Sequence, residues 1–209
     1  MDSTDAAELI AEIHEDRAEA EQTEKFRSGA ALMIALLAAV LAIGGLGGGN
    51  ATDDMIDNNI RASDTWAFFQ AKNMRQTLYE VAVDELEAQI AAAGGTATPA
   101  QAERLADYRA TIARYESEPD PAAPNDPTRG EGKRELRAQA EAFEAARDRA
   151  AEQDGNFDMA EVLLQLALVL GSVAILAVNR PILILSGLLG LAGAALTLNG
   201  FLLLAPLPI

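Results

Sequence analysis

Residues 29–49 read Gly29-Ala-Ala-Leu-Met-Ile-Ala-Leu-Leu-Ala-Ala-Val-Leu-Ala-Ile-Gly-Gly-Leu-Gly-Gly-Gly49, 21 positions without one charge. The apolar core of a bilayer takes about 20 residues of helix, so this stretch is long enough to span it. Its Gly-rich end forms helix poorly in water, but such residues are tolerated in membranes. A cleaved leader would need a basic start and a shorter apolar core. The 28 residues before Gly29 instead carry nine acids and three bases. A retained transmembrane helix is therefore expected at 29–49, behind an acidic N-terminal tail or surface helix at 1–28. In that tail Leu9, Ile10 and Ile13 form a small apolar stripe.

Two further runs repeat the pattern. Met159 to Val178 is apolar apart from Glu161, Gln165 and Ser172, and Ile182 to Ala205 has Ser186, Thr197 and Asn199 as its polar members. Asn179-Arg180-Pro181 separates them, and Pro stops helix continuation, so 159–178 and 182–205 are expected as a transmembrane hairpin. Asp158 is placed to cap the second span, with Glu161 three residues on and Phe157 stapled against Val162. Lipid offers helices no hydrophobic reward for meeting each other, so close approach through small residues has to supply attraction. The expected packing seams, between helices or between subunits, are Ala31, Ala35, Ala39, Gly45 and Gly49 on the first span and Ser186, Gly190 and Ala194 on the third.

The intervening residues 50–158 hold 22 acids and 12 bases. Ala67, Ala71, Met74, Leu78, Ala82, Leu86 and Ile90 recur every three or four positions, which predicts an amphipathic helix over 64–93 with that face inward. Ser63 is its expected N-cap and Gly94-Gly95 its stop. Thr98-Pro99-Ala100-Gln101 restarts a helix with a Thr cap, Pro at the first position and Gln at the third. Leu105, Tyr108, Ile112 and Tyr115 then follow at coiled-coil spacing, and the short Gly-Gly link makes the two helices antiparallel neighbours. Residues 117–132 contain four Pro and two Gly, an extended or flexible excursion. A third helix, about 133–153, carries Leu136, Ala140 and Phe143 and leads through Asp154-Gly155-Asn156 to the second span. The expected fold is an all-α integral membrane protein, with three spans and an antiparallel, coiled-coil-like helical domain inserted between the first two.

Composition excludes several classes of function. The chain has 209 residues, 32 acids, 16 bases and a net charge of −16, the wrong sign for binding a phosphate backbone. Without Cys and with His14 as the single His, thiolate chemistry and multi-His metal sites within one chain are ruled out. Asp53, Asp54 and Asp57 form an acidic face, which is ordinarily solvated, since oxygen-ligand sites need several convergent groups. No phosphate-binding loop, serine-hydrolase elbow or zinc-protease motif occurs. No enzyme, no cofactor and no nucleic-acid partner are expected.

The segments Ser63-Asp64-Thr65-Trp66-Ala67-Phe68-Phe69-Gln70-Ala71-Lys72 and Arg75-Gln76-Thr77-Leu78-Tyr79-Glu80, with Phe157-Asp158 and the closing Asn199-Gly200-Phe201, carry a resemblance. Together they resemble the bacterial membrane-protein family of domain of unknown function 4337, over about residues 25 to 201. The resemblance implies a three-span inner-membrane protein with a helical loop domain, and it brings no catalytic residues.

The expectation is a membrane scaffold or accessory subunit acting through helix–helix contacts, with lipids and either further copies or other membrane subunits as partners. The supply of large apolar residues in the two helices is small, so the domain is expected to be completed by another chain through Trp66, Phe69, Leu78, Tyr108 and Tyr115. The alternative is a homo-oligomeric channel or transporter component lined by Glu161, Gln165 or Asn199, because ion paths need polar groups within the bilayer. Lys25, Arg27 and Arg180 favour a cytoplasmic N-terminus by the positive-inside bias. The helical domain and the C-terminus would then lie outside.

Overall fold

The computed structural model describes residues 3–206, with side chains from residue 13 on. Four helices follow in order: α1 Ser3–Ala92, α2 Pro99–Glu116, α3 Lys133–Ala177 and α4 Arg180–Leu202. No strand occurs among the described residues; the one β-bridge joins Pro119 and Gly130. Three of the helices, α1, α3 and α4, are long and apolar enough to cross a membrane. The chain divides into two units, Met1–Thr52 with Ala151–Ile209, and Asp53–Ala150.

Helix continuity departs from the expected segmentation. The tail, the first apolar run and the stretch expected over 64–93 form one helix of 90 residues, so Ser63 lies mid-helix and caps nothing. Likewise α3 passes through Asp154, Gly155 and Asn156 without a break, and Asp158 starts no helix. A cap motif nucleates an end only where the preceding residues have something else to do, and neither site has a Pro or a turn before it. The Leu9 and Ile10 side chains lie outside the described residues, and Ile13 is exposed.

The ends that do form follow local chemistry. Thr98 accepts the amide of Gln101, while the Gln101 side chain accepts the amide of Thr98, a complete capping box with Pro99 behind it. Gly94 and Gly95 sit at φ +106° and +81°, a region open to Gly and costly for other residues. Between α3 and α4, Val178 takes φ 46° and Asn179 caps α4 by accepting the amide of Ile182. The link is thus only two residues, Val178 and Asn179.

In the unit holding the apolar runs, the buried face of α1 is Ala30, Gly44, Gly47 and Ala51. The expected first-span seam does not face the chain's own helices: Ala31, Ala35, Ala39, Gly45 and Gly49 are all exposed, one position off the face that meets them. On α4 the contact face runs through Ser186, Gly190, Gly193, Thr197 and Gly200, with Ala194 half-buried. Gly190 faces Leu37, and Gly193 faces Leu164. The Ser186 hydroxyl donates to the Ala167 carbonyl across the hairpin at 2.6 Å.

Candidate functional site

Near the C-terminal end of that hairpin the apolar unit closes on an aromatic ring and a pair of amides. Phe157 is 4% exposed, and its ring lies where Cβ atoms on Gly47 and Gly200 would stand, 2.6–2.9 Å from such atoms. Phe201 stacks edge-on against it at 4.9 Å. The Phe157–Val162 staple is therefore replaced, since Val162 is exposed and the ring has turned inward to the glycines. Next to it, Asn199 Nδ2 donates to Asn156 Oδ1 at 2.6 Å and to the Ala205 carbonyl, while Asn199 Oδ1 accepts the Ala205 amide. Asn156 Nδ2 donates to the Glu152 carbonyl. Both side-chain amides are thus fully engaged, as burial requires, and Asn199 is 9% exposed. Glu161 and Gln165 are exposed and hydrogen-bonded to each other at 2.7 Å. Asn156 sat in an expected linker and carried no sequence signal of its own. Only the arrival of Asn199 from 43 residues away identifies it.

In the unit Asp53–Ala150, α2 runs antiparallel to α1: Glu87 pairs with Arg109, Tyr79 stacks on Tyr108 and Tyr115, and Gln76 donates to Glu116. The core is Val83, Leu86, Ile90 and Leu105, with Tyr108 and Ile112 against it. The α3 segment returns alongside α1, with Trp66 Nε1 donating to Glu144 at 2.9 Å and Lys133 donating to Asn73. Arg61 stacks over Phe143.

The inward face of α1 differs from the expected one. Its C-terminal part holds, with Leu86 and Ile90 buried and Ala82 half-buried, but Ala67, Ala71, Met74 and Leu78 point out, and Lys72, Gln76 and Val83 are buried instead. Lys72, 5% exposed, donates to the Glu118 carboxylate at 3.3 Å and to the Glu131 carbonyl. Its ammonium also lies 5.7 Å from the ring centres of Phe68 and Tyr115, within cation–π reach. Buried charge is tolerable only when paired and hydrogen-bonded, and residues 117–132 supply both. That segment is non-helical, as its composition predicts, but it closes on itself instead of straying. The Glu131 amide donates to the Glu118 carbonyl, and Asp120 pairs with Arg129. Asp126 accepts from the amide and hydroxyl of Thr128, and Gly130 adopts φ +136° where a Cβ would meet the Glu118 carbonyl at 2.4 Å.

Three carboxyls here have displaced pKa values. For Glu135, 3% exposed, burial pushes the value up. Hydrogen bonds from the Ser117 hydroxyl and the Glu118 amide outweigh it, leaving the group below its usual range. Glu116 is held low by hydrogen bonds from Lys133 and Gln76, and Asp126 by Thr128.

Of the residues expected to meet a partner, Trp66 and Phe69 stack edge-on at 5.5 Å inside the chain, half-buried. Tyr108 and Tyr115 are likewise used against Tyr79. Leu78 alone is largely free, at 66% exposure. Ile60, Ala67, Ala71, Met74, Leu78 and Val81 are all exposed, and from Ala67 on they are spaced 4, 3, 4 and 3, the repeat of a coiled-coil seam. The outward stripe lies opposite the buried one on the same helix. Among the described residues no group of three His, Cys, Asp or Glu is arranged to hold a metal ion.

Among the described residues, fold and surface define an all-α membrane protein of four helices, three of them long and apolar enough to span, with an exposed apolar stripe on α1 outside the apolar runs. The chain belongs to the family described as Domain of unknown function (DUF4337), whose model matches residues 26–203. No curated protein and no solved structure matches it.

Proposed function

We propose that this chain is a non-enzymatic scaffold or accessory subunit of a membrane complex in the bacterial inner membrane. Its inserted antiparallel, coiled-coil-like helical domain makes the contact, and a second copy of the chain is the occupant of the α1 stripe. The observation that carries this reading is the exposed 4-3-4-3 row from Ala67 to Val81. Charge supports a second copy. The whole chain carries −16, yet no acid occurs between Asp64 and Glu80. Copies that share a membrane also share an orientation. In a parallel pair the flanking positions are Phe68, Arg75 and Ala82 on one side and Gln70, Thr77 and Asp84 on the other, with no like charges opposed.

The test uses the Cys-free background. Single Cys residues at Met74, Leu78 or Val81 are expected to give disulfide-linked dimers in native membranes, while Ala106→Cys on α2 gives none. A monomer by crosslinking and native mass, with no stoichiometric partner, overturns the proposal. A discrete foreign chain at equal stoichiometry would replace self-contact with an accessory role. The channel reading now leans on Glu161 and Gln165, since the amide of Asn199 is consumed by Asn156 and Ala205.

For topology we place the N-terminus in the cytoplasm and the helical domain and C-terminus outside, on the bases Lys25, Arg27 and Arg180 near the ends of the apolar runs. Arg147 and Arg149 pull the other way. A reporter at Ile209 that works only in the cytoplasm would reverse the assignment.

A further inference from the structure

Beside the start of the first apolar run, α1 and the first turn of α4 form a groove of about 480 Å³ lined by Gln22, Lys25, Phe26, Arg180, Leu183 and Ile184. Its lining combines two bases, Lys25 and Arg180, with the apolar Phe26, Leu183 and Ile184. Arg180 is the only base after Arg149 in the sequence, and it has no ion-pair partner among the described residues. Lys25 has only an exposed, long contact of 3.8 Å to Glu21, which holds it weakly. The Asn179 cap and the two-residue link place Arg180 where α4 begins, four residues before Ile184. Glu19 lines the adjoining depression with Gln22, Phe26 and Arg180, so acids border the site at Glu19 and, beside Lys25, at Glu21.

We propose that this groove binds one anionic phospholipid, its phosphate between Lys25 and Arg180 and an acyl chain along Phe26, Leu183 and Ile184. The combination selects the occupant. A soluble phosphate has no use for the apolar wall, a zwitterionic lipid brings a cation of its own to the two bases, and a second copy would set the same two bases against themselves. A chain of net charge −16 is repelled by an anionic leaflet, so a local pair of cations is the place where such a lipid can be held. Each base near an anionic surface favours it by about fivefold.

The test exploits the single Trp. Trp66→Phe combined with Phe26→Trp puts the only indole at the groove of the full-length protein, reconstituted in vesicles. Brominated-chain phosphatidylglycerol is expected to quench it with an affinity roughly 5- to 25-fold above brominated phosphatidylcholine. Lys25→Gln with Arg180→Gln should bring the two lipids level. Arg27→Gln, an exposed base outside the groove, should leave the preference intact, whereas a general bilayer-charge effect would cost an equal factor per base removed in both variants. Millimolar inorganic phosphate should not compete. Equal quenching by the two lipids, an undiminished preference in the double variant, equal loss per base in Arg27→Gln, or displacement by phosphate each overturns the proposal. Should Phe26→Trp disturb the helix, native mass spectrometry of the unaltered chain tests the same preference: retention of phosphatidylglycerol over phosphatidylcholine supports the site, and equal retention overturns it.

Discussion

Gly200→Ala should destabilise the membrane unit only while Phe157 is present. A Cβ at Gly200 would stand 2.7–2.9 Å from three atoms of the Phe157 ring, where ordinary contacts begin at 3.4 Å. The ring has to move by about half an ångström or more, and on its other side it already packs against the α1 backbone, 2.6–3.2 Å from where Cβ atoms on Gly47 and Gly48 would stand. Overpacking of this kind costs about 1–3 kcal/mol. Ala in place of Gly gains up to about 1 kcal/mol in helix propensity, and Gly49→Ala, with open space around its Cβ, measures that gain alone. Phe157→Ala removes the obstacle. In a soluble core it would cost about 3–5 kcal/mol, but lipid is as apolar as the site, so the transfer part vanishes and roughly 2 kcal/mol of lost packing remains. In that background Gly200→Ala should show only the propensity gain. The double-mutant cycle, read from unfolding in mixed dodecylsulfate micelles by helical circular dichroism, should show coupling of about 1–3 kcal/mol. Equal costs of Gly200→Ala in both backgrounds, within about 0.5 kcal/mol, would refute the wedged-ring account.

Asn199→Leu should destabilise the hairpin by about 0.6–1.7 kcal/mol in the same assay, the range of interhelical hydrogen bonds in membranes, and Asn156→Leu in the Asn199→Leu background should cost little more. Lys72→Met should loosen residues 117–132, because the Glu131 carbonyl loses its donor; Glu118 is partly exposed and rehydrates, so we expect about 1–2 kcal/mol and several-fold faster tryptic cleavage after Arg129. Acid should do the same through Glu135. Its folded pKa lies below the ordinary value of 4.5, so its contribution is complete above that pH and is lost as pH falls through the depressed folded value. Hydrogen exchange of the Glu118 and Glu131 amides should report the loss, and Glu135→Gln should abolish that pH dependence.

Much of the architecture is written locally. Three uncharged or nearly uncharged runs of about 20 residues leave a helix no environment but lipid, because only there is their apolar surface unopposed by water. Thr98-Pro99-Ala100-Gln101 and Gly94-Gly95 likewise set a start and an end with bonds spanning three to five residues, so no distant part of the chain can change them. Faces are another matter. Periodicity counts apolar positions, and on α1 it offers two stripes half a turn apart. It picks out Ala67, Ala71, Met74 and Leu78, whereas the stripe buried in this stretch contains Lys72 and Gln76. The fold buries the polar stripe because Glu118 and the Glu131 carbonyl, 46 and 59 residues away, arrive to satisfy Lys72. The sign of that burial energy belongs to the partners and not to the residue. The same holds for Gly47 and Gly200, which read as flexible small residues until Phe157 enters between them. Sequence alone thus determined which segments can leave water and where the capped ends at Gly94-Gly95 and Thr98 fall, whereas the structure decided that α1 and α3 run on through their expected links and which side of each helix is inside, since a side chain's cost of burial depends on groups it meets only after folding.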